Sequence, residues 1–206
     1  YKDKLLAKVK TTLNNQVNAR IDFSDFKLSV FSQFPKVEME LQNLSIIGVN
    51  EFDGDTILSA AAISTNISLM ELIRSEGLEL KSLTIDDPMI QLIVSKSGAV
   101  NWDVVKTSEE TTTPDASSGD AFQMKLSDIR VNNLNLLYDD QGMPMKVWVK
   151  NTNVSSNGEV AGTLTTFDLK GDAGELIFEY DSVQYISKTK LKVETLLKVD
   201  YEKMNF

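Results

Sequence analysis

Three stretches of the chain share one arrangement of apolar and polar residues. Each has the form apolar-x-apolar-x-x-apolar-x-apolar, and the stretches begin at residues 39, 78 and 124. Each half alternates as a half-buried strand does, but the second half is shifted by one position. In a flat strand that shift turns the later side chains to the opposite face. The twelve apolar positions are Met39, Leu41, Leu44, Ile46, Leu78, Leu80, Leu83, Ile85, Met124, Leu126, Ile129 and Val131.

A β-bulge accounts for the shift, because one extra residue restores the facing of the side chains that follow and bends the strand. In the second stretch the bulge would lie near Lys81 and Ser82. The alternative is a short strand, a turn and a second strand. Three copies of one pattern indicate a structural unit that is used repeatedly. We therefore predict curved strands in which the four apolar residues of each stretch share one face.

The remaining pattern predicts one helix and a series of hairpins. Residues 2–18 place Leu5, Leu6, Val9, Leu13 and Val17 on one side at helical spacing. After residue 20 the period changes to two. Asn157–Gly158 predicts a hairpin turn, and further turns are expected at 139–142, 172–174 and 187–188.

The predicted fold class is mainly β (α+β), with an N-terminal amphipathic helix followed by a curved antiparallel meander sheet that has one apolar face. Residues 1–19 form the helix, 20–105 the first part of the sheet and 122–206 its continuation. Residues 106–121 contain no large apolar side chain. They are predicted to be a flexible linker or insert, because nothing in them offsets the entropy of ordering.

Composition excludes several kinds of chemistry. The 206 residues include no cysteine and no histidine, which removes disulfides, the commonest general base and the commonest metal ligand. The net charge of −9 argues against a nucleic-acid partner. Residues 1–20 nevertheless hold five basic residues against one acidic residue. That end fits an anionic membrane surface or, equally, a solvated helix face; its lysines are Lys2, Lys4, Lys8 and Lys10.

Carboxylates are the remaining candidates for catalysis or calcium binding. They occur as Asp86–Asp87, as Asp139–Asp140 and as a cluster of Glu51, Asp53 and Asp55. Each group lies near proline or glycine at a predicted strand end, where aspartate serves turn geometry. No glycine-rich phosphate loop is present. We therefore predict no catalytic, cofactor-binding or metal-binding residue, and we do not expect an enzyme.

Two segments resemble AsmA-family envelope proteins. The stretch FKLSVFSQFPKVEMELQNLSIIGVNEFDGDTIL at 26–58 is similar to the start of that family. The stretch SLTIDDPMIQLIVSKSGAVNW at 82–102 contains strand, Asp-Pro, strand and Gly-x-x-Asn-Trp, which resembles the family's signature. The opening YKDKLLAKVKTTLNNQVNARIDF is similar to the helix that follows the membrane anchor in these proteins. The resemblance is good over residues 1–105 and weaker after 122.

The resemblance implies a periplasmic protein held at the inner membrane by an anchor that is absent from this chain, with a role in outer-membrane biogenesis or integrity. AsmA proteins are similar to chorein-type bridge proteins, whose curved sheets hold lipid acyl chains. Phospholipid is then the expected partner, and the twelve apolar residues are the expected wall of a lipid groove. The alternative is a scaffold or assembly factor of the envelope that binds protein and has no contact with lipid.

Overall fold

The computed structural model describes residues 7, 10, 11, 14, 15, 17–30, 36–68, 79–104, 123–161 and 164–200. These residues form ten strands, all in one sheet. A single 3₁₀ turn lies at Asn50–Phe52. The strands are β1 (Arg20–Asp22), β2 (Asp25–Val30), β3 (Lys36–Ile47), β4 (Thr56–Ser68), β5 (Glu79–Asp86), β6 (Met89–Val94), β7 (Gln123–Asp140), β8 (Met145–Ala161), β9 (Leu164–Tyr180) and β10 (Val183–Asp200).

The strand order across the sheet is β1-β3-β4-β5-β7-β8-β9-β10. Strand β2 pairs with β3 beyond the end of β1, and β6 continues β5 between β4 and β7. Strands β7 to β10 form an antiparallel meander of strands 17 or 18 residues long. The meander predicted for the C-terminal half is therefore present, but its strands are longer than predicted.

The prediction of an antiparallel sheet was wrong in one respect, because the observed sheet is mixed. Strands β5 and β6 both run parallel to β7. The chain leaves β6 at one end of the sheet and begins β7 at the other end. Strand β7 therefore runs in the same direction as β5 and β6 and pairs with them in parallel. Alternation along a single strand does not reveal this choice.

The α part of the predicted α+β class was also wrong. The elements of the described residues are strands and one 3₁₀ turn, without an α-helix. Helical backbone occurs at residues 7, 10, 11, 14 and 15. There, the side chains of Thr11 and Asn14 donate to the carbonyls of Ala7 and Lys10, bonds that weaken helices. Asn14 also bonds both backbone groups of Ile21, which ties this segment to β1.

A line of left-handed residues crosses the sheet, and we call it the seam. Asn43 in β3, Asp87 after β5, Asn133 in β7 and Asn151 in β8 have φ of 51°, 49°, 57° and 51°. The ladders on either side place Asn43, Asp87 and Asn133 at one level across β3 to β7. Asparagine and aspartate tolerate this conformation better than most residues. The seam therefore bends neighbouring strands at the same level.

Side-chain hydrogen bonds hold the seam together. Asn133 donates to the carboxylate of Asp87 at 2.8 Å, and its own backbone N–H donates to the side chain of Asn153 at 3.0 Å. In β9 the residue opposite Asn151 is Gly174, where a Cβ would lie 3.2 Å from the Asn151 Cβ. Glycine at 174 thus permits the close approach that the bend at Asn151 requires.

Three predicted turns were wrong, because each lies inside a long strand. Asn157–Gly158 lies inside β8, residues 172–174 inside β9 and residues 187–188 inside β10. Among these residues Lys188 has a positive φ of 50°, and it lies within the register shift between Ile186 and Thr189 of the β9–β10 ladder. Residues that favour left-handed conformations serve bends within strands as well as turns. The turn predicted at 139–142 is close to the observed β7–β8 connection at 141–144.

Asn101 closes the end of the sheet beside β6, where β4 no longer provides a neighbour. Its side-chain oxygen accepts from the Ile93 N–H at 2.9 Å, and its amide nitrogen donates to the Gln91 carbonyl at 2.8 Å. Asn101 is 3% exposed. Next to it, the ring of Trp102 lies 6.3 Å from that of Tyr138. Asn101 therefore takes the place of a neighbouring strand, which gives the Gly-x-x-Asn-Trp signature a structural role here.

Replacing Asn101 with alanine should lower the free energy of unfolding by about 2–4 kcal/mol, since each buried polar group left unpaired costs about 1–3 kcal/mol. Urea unfolding followed by circular dichroism measures the loss. Asn153→Ala is the matched control, because Asn153 is exposed and accepts one bond. Equal losses for the two variants would contradict the role given to Asn101.

Candidate functional site

One row of side chains crosses the whole sheet from β2 to β10. Each member is the direct ladder partner of the next, and direct partners point to the same face of a sheet. With strands ~4.8 Å apart, eight strands span about 34 Å. We call this set the central apolar row: Phe26, Leu41, Ile63, Ile85, Val131, Val154, Gly171 and Val193.

The opposite face at this level is polar. A second set of direct partners, each adjacent in sequence to a member of the central apolar row, also crosses from β3 to β10. None of its members is an aliphatic or aromatic residue. These residues form the polar row: Glu40, Ser64, Thr84, Arg130, Ser155, Lys170 and Glu194. The sheet is therefore amphipathic here, and the face that carries the central apolar row is called the apolar face.

A further apolar row lies on the other side of the seam. In β3, for example, Ile46 is five residues from Leu41. Because five is odd, a regular strand would turn the two rows to opposite faces. In β3, β7 and β8, and between β5 and β6, a left-handed residue of the seam lies between the two rows and shifts the facing as a bulge does. This shift allows both rows to share the apolar face. The second apolar row comprises Ile21, Ile46, Leu58, Ile90, Leu136, Val149 and Leu176.

Both rows are only half-buried. This holds for every member of the second apolar row and for the members of the central apolar row from Phe26 to Gly171, while Val193 is 40% exposed. Most of these strands have neighbours on both sides, and aliphatic residues in such positions are usually buried. Proteins rarely leave a contiguous apolar surface of this extent open unless it binds something. The apolar face is the candidate functional site.

The first predicted stretch lies on both sides of the seam. Met39, Leu41 and Ile46 are half-buried, and Leu44 is 7% exposed. Asn43, whose φ is positive, lies between Leu41 and Leu44, where the alternation slips. The β3–β4 ladder keeps its register there. The slip in β3 is therefore a left-handed kink without an inserted residue.

The second and third predicted stretches lie side by side in parallel. Leu83 pairs with Ile129 and Ile85 with Val131, all four half-buried. The β5–β7 ladder shifts register between Leu80 and Ser82, at the position predicted for the bulge. Leu78 lies outside the described residues, as do the side chains of Leu80, Met124 and Leu126. Whether these four face the same way as the others stays a prediction.

Sequence reasoning missed several members of the apolar face. Ile63 lies among the small residues of β4, where the pattern was ambiguous, and Val154 follows a predicted strand and precedes a predicted turn. A spacing of five between apolar residues, as between Val149 and Val154, was the signal that could have found them. Gly171 has no side chain and carries no such signal.

Of the four N-terminal lysines, the structure describes Lys10. Its ammonium group lies 2.5 Å from the Asp22 carboxylate and 5.1 Å from the centre of the Phe23 ring. The hydrogen bond from Lys10 is the main reason that the pKa of Asp22 is lowered. Asp22 thus stabilises the fold above its unfolded pKa of about 3.9 and stops doing so as the pH falls through its lowered pKa. Lys2, Lys4 and Lys8 lie outside the described residues.

Several of the predicted carboxylates have structural partners. Asp140 accepts hydrogen bonds from the backbone N–H groups of Gly142 and Met143, and Asp139 pairs with Lys146 at 3.4 Å. Asp53 pairs with Arg20 at 2.8 Å. Within the described ranges, no three acidic residues are grouped so as to hold a metal ion.

The fold and the site define a class of protein: a single large β-sheet with one polar face and one partly open apolar face. The chain belongs to the AsmA family, whose model matches residues 1–204. Comparison with curated proteins and with solved structures gave no significant match. The family has a role in the cell envelope and outer-membrane biogenesis, and it is not known for enzymatic activity. In the described part of the chain, no helix has the length and apolar character needed to span a membrane.

Proposed function

We propose that the protein handles phospholipid by binding acyl chains along the apolar face, in the periplasm and close to an inner-membrane anchor outside this chain. The observation that carries the proposal is the pair of half-buried apolar rows that cross seven or more strands. An acyl chain needs a continuous apolar surface without charges, and the central apolar row offers about 34 Å of it.

The expected binding depends weakly on the lipid headgroup. Each buried methylene contributes about 0.8 kcal/mol whatever the headgroup is. The charged side chains of the polar row, such as Arg130 and Lys170, belong to the opposite face and pair with carboxylates of their own strands. The apolar face would therefore select for acyl chains and accept several headgroups.

Mass spectrometry of lipids retained by the purified protein tests the proposal. The expected result is phospholipid with a mixture of headgroups, in proportion to the protein. Preparations free of phospholipid would contradict it. A stoichiometric protein partner in place of lipid would support the second candidate function, a protein-binding scaffold of the envelope. The half-buried apolar face is the observation that favours this second candidate, because a protein partner could cover it as lipid could.

A further inference from the structure

The apolar face continues beyond the second apolar row, toward the end of the sheet where the connections at 141–144 and 181–182 lie side by side. Two further sets of direct ladder partners cross β6 to β10 there. In β6 to β9 they are two and four residues from the second apolar row, in ladders without register shifts, and therefore share its face. The first set is Leu92, Tyr138, Val147, Phe178 and Ile186, and the second is Val94, Asp140, Met145, Tyr180 and Val183.

Aromatic rings gather at this end of the apolar face. The Trp102 ring lies 6.3 Å from the Tyr138 ring, and the Tyr185 ring lies 5.9 Å from the Phe178 ring. Because Tyr138 and Phe178 point to the apolar face, these contacts place Trp102 and Tyr185 at its end. We call this set the aromatic rim: Trp102, Tyr138, Phe178, Tyr180 and Tyr185.

The aromatic rim stands between an aliphatic surface and a polar one. Trp102, Tyr180 and Tyr185 are 39%, 44% and 64% exposed. The Tyr138 hydroxyl donates to the Asp140 carboxylate at 3.4 Å, and that carboxylate also accepts from backbone N–H groups of the 141–144 connection. Tryptophan and tyrosine have an apolar body and a polar tip, which suits a boundary of this kind. In bilayers they concentrate at the level of the headgroups.

We propose that the aromatic rim binds the glycerol-ester region of a phospholipid whose acyl chains extend along the strands toward the central apolar row. This inference rests on the proposed function and adds to it the orientation of the lipid. From the middle of the sheet to this end, the apolar face passes from aliphatic side chains through amphipathic rings to charged and polar groups. A phospholipid has the same order of polarity from its acyl chains to its headgroup.

The reverse orientation is unfavourable. A headgroup over the central apolar row would set ester and phosphate oxygens against side chains that have no donor, and an unpaired polar group in apolar surroundings costs several kcal/mol. The lengths also fit the proposed orientation. Seven residues, about 23 Å of strand, separate Tyr138 from Val131. One leaflet contributes about 15 Å to the hydrocarbon core of a bilayer, so acyl chains that begin at the aromatic rim pass over the second apolar row and extend beyond it.

Tryptophan fluorescence tests this orientation, because the chain has two tryptophans on opposite faces. Trp102 belongs to the aromatic rim, whereas Trp148 lies between Val147 and Val149 of the apolar face and points to the other side. The purified protein is loaded with phosphatidylcholine that carries one nitroxide, a short-range quencher, and unbound lipid is removed by gel filtration. The nitroxide is on the headgroup, beside the ester or at the methyl end of an acyl chain. Trp148→Phe leaves Trp102 as the reporter, and Trp102→Phe leaves Trp148 as the matched control.

The headgroup and ester labels should quench Trp102 about twofold or more as strongly as the methyl-end label, since a tryptophan at the boundary lies at headgroup level. Trp148 should be quenched little by any label. The unchanged protein, which has both tryptophans, gives the same comparison of labels without a substitution, and circular dichroism checks the sheet in each variant.

Two groups of results would overturn the inference, and they are distinguishable. Stronger quenching of Trp102 by the methyl-end label, or equal quenching by all three labels, would refute the orientation and leave lipid binding by the apolar face intact. A protein that retains no labelled lipid, or stronger quenching of Trp148 than of Trp102, would refute the proposed function and this inference with it.

Discussion

Replacing Ile85 with aspartate should reduce the phospholipid retained by the purified protein about tenfold or more. Ile85 lies in the middle of the central apolar row, with Ile63 and Val131 as its direct neighbours. A carboxylate there would displace two or three acyl methylenes. Each contributes about 0.8 kcal/mol, and 1.4 kcal/mol corresponds to a factor of ten. Lipid extraction and mass spectrometry, normalised to protein, give the ratio.

Thr84→Asp is the matched control for this variant. Thr84 is adjacent in sequence, belongs to the polar row and pairs with Ser64 and Arg130. The new carboxylate would therefore lie beside a guanidinium group on the face that carries charges already. Lipid retention should remain within about twofold of the unchanged protein, since no methylene contact is lost. Equal losses in both variants would mean that the charge acts through stability and that Ile85 has no specific role.

Replacing Phe23 with alanine should cause the largest loss of stability, about 3–5 kcal/mol, as is usual for a buried phenylalanine. Phe23 is 1% exposed and lies between β1 and β2. Its ring also faces the ammonium group of Lys10, a contact that disappears in the variant. Equilibrium unfolding in urea measures the effect through the midpoint and slope.

Phe26→Ala provides the comparison for Phe23. Phe26 is half-buried and begins the central apolar row at the edge of the sheet. It should cost less than half as much as Phe23→Ala, because less apolar area leaves water there on folding. A loss below about 1 kcal/mol for Phe23→Ala would mean that this corner of the sheet contributes little to stability.

Local alternation predicted the apolar face but not the sheet that carries it. Leu41, Ile46, Ile85 and Val131 of the apolar face all belong to the predicted stretches. They could be found because facing along one strand follows from the sequence of that strand. The parallel pairing of Leu83 with Ile129 depends on where the chain re-enters the sheet after β6. That is a property of two distant segments, and no pattern within either one reports it.

The errors at the turns and at the helix have different physical causes. Asparagine and glycine were interpreted as turn formers at 157–158 and 172–174, but they lie within β8 and β9. None of these residues has a positive φ. Pairing with the neighbouring strands prevails there over the preference of asparagine and glycine for turns. At the helix, the apolar spacing at residues 2–18 did not account for Thr11 and Asn14, whose side chains compete for backbone carbonyls.

Photocrosslinking in cells tests most directly whether the apolar face contacts acyl chains. A photoreactive amino acid replaces either Val131, in the central apolar row, or Arg130, in the polar row, so that the two probes are adjacent in β7 and on opposite faces. The account predicts crosslinks to phospholipid from position 131 and none from position 130. Crosslinks from position 131 only to protein, or equal lipid crosslinks from both positions, would contradict it.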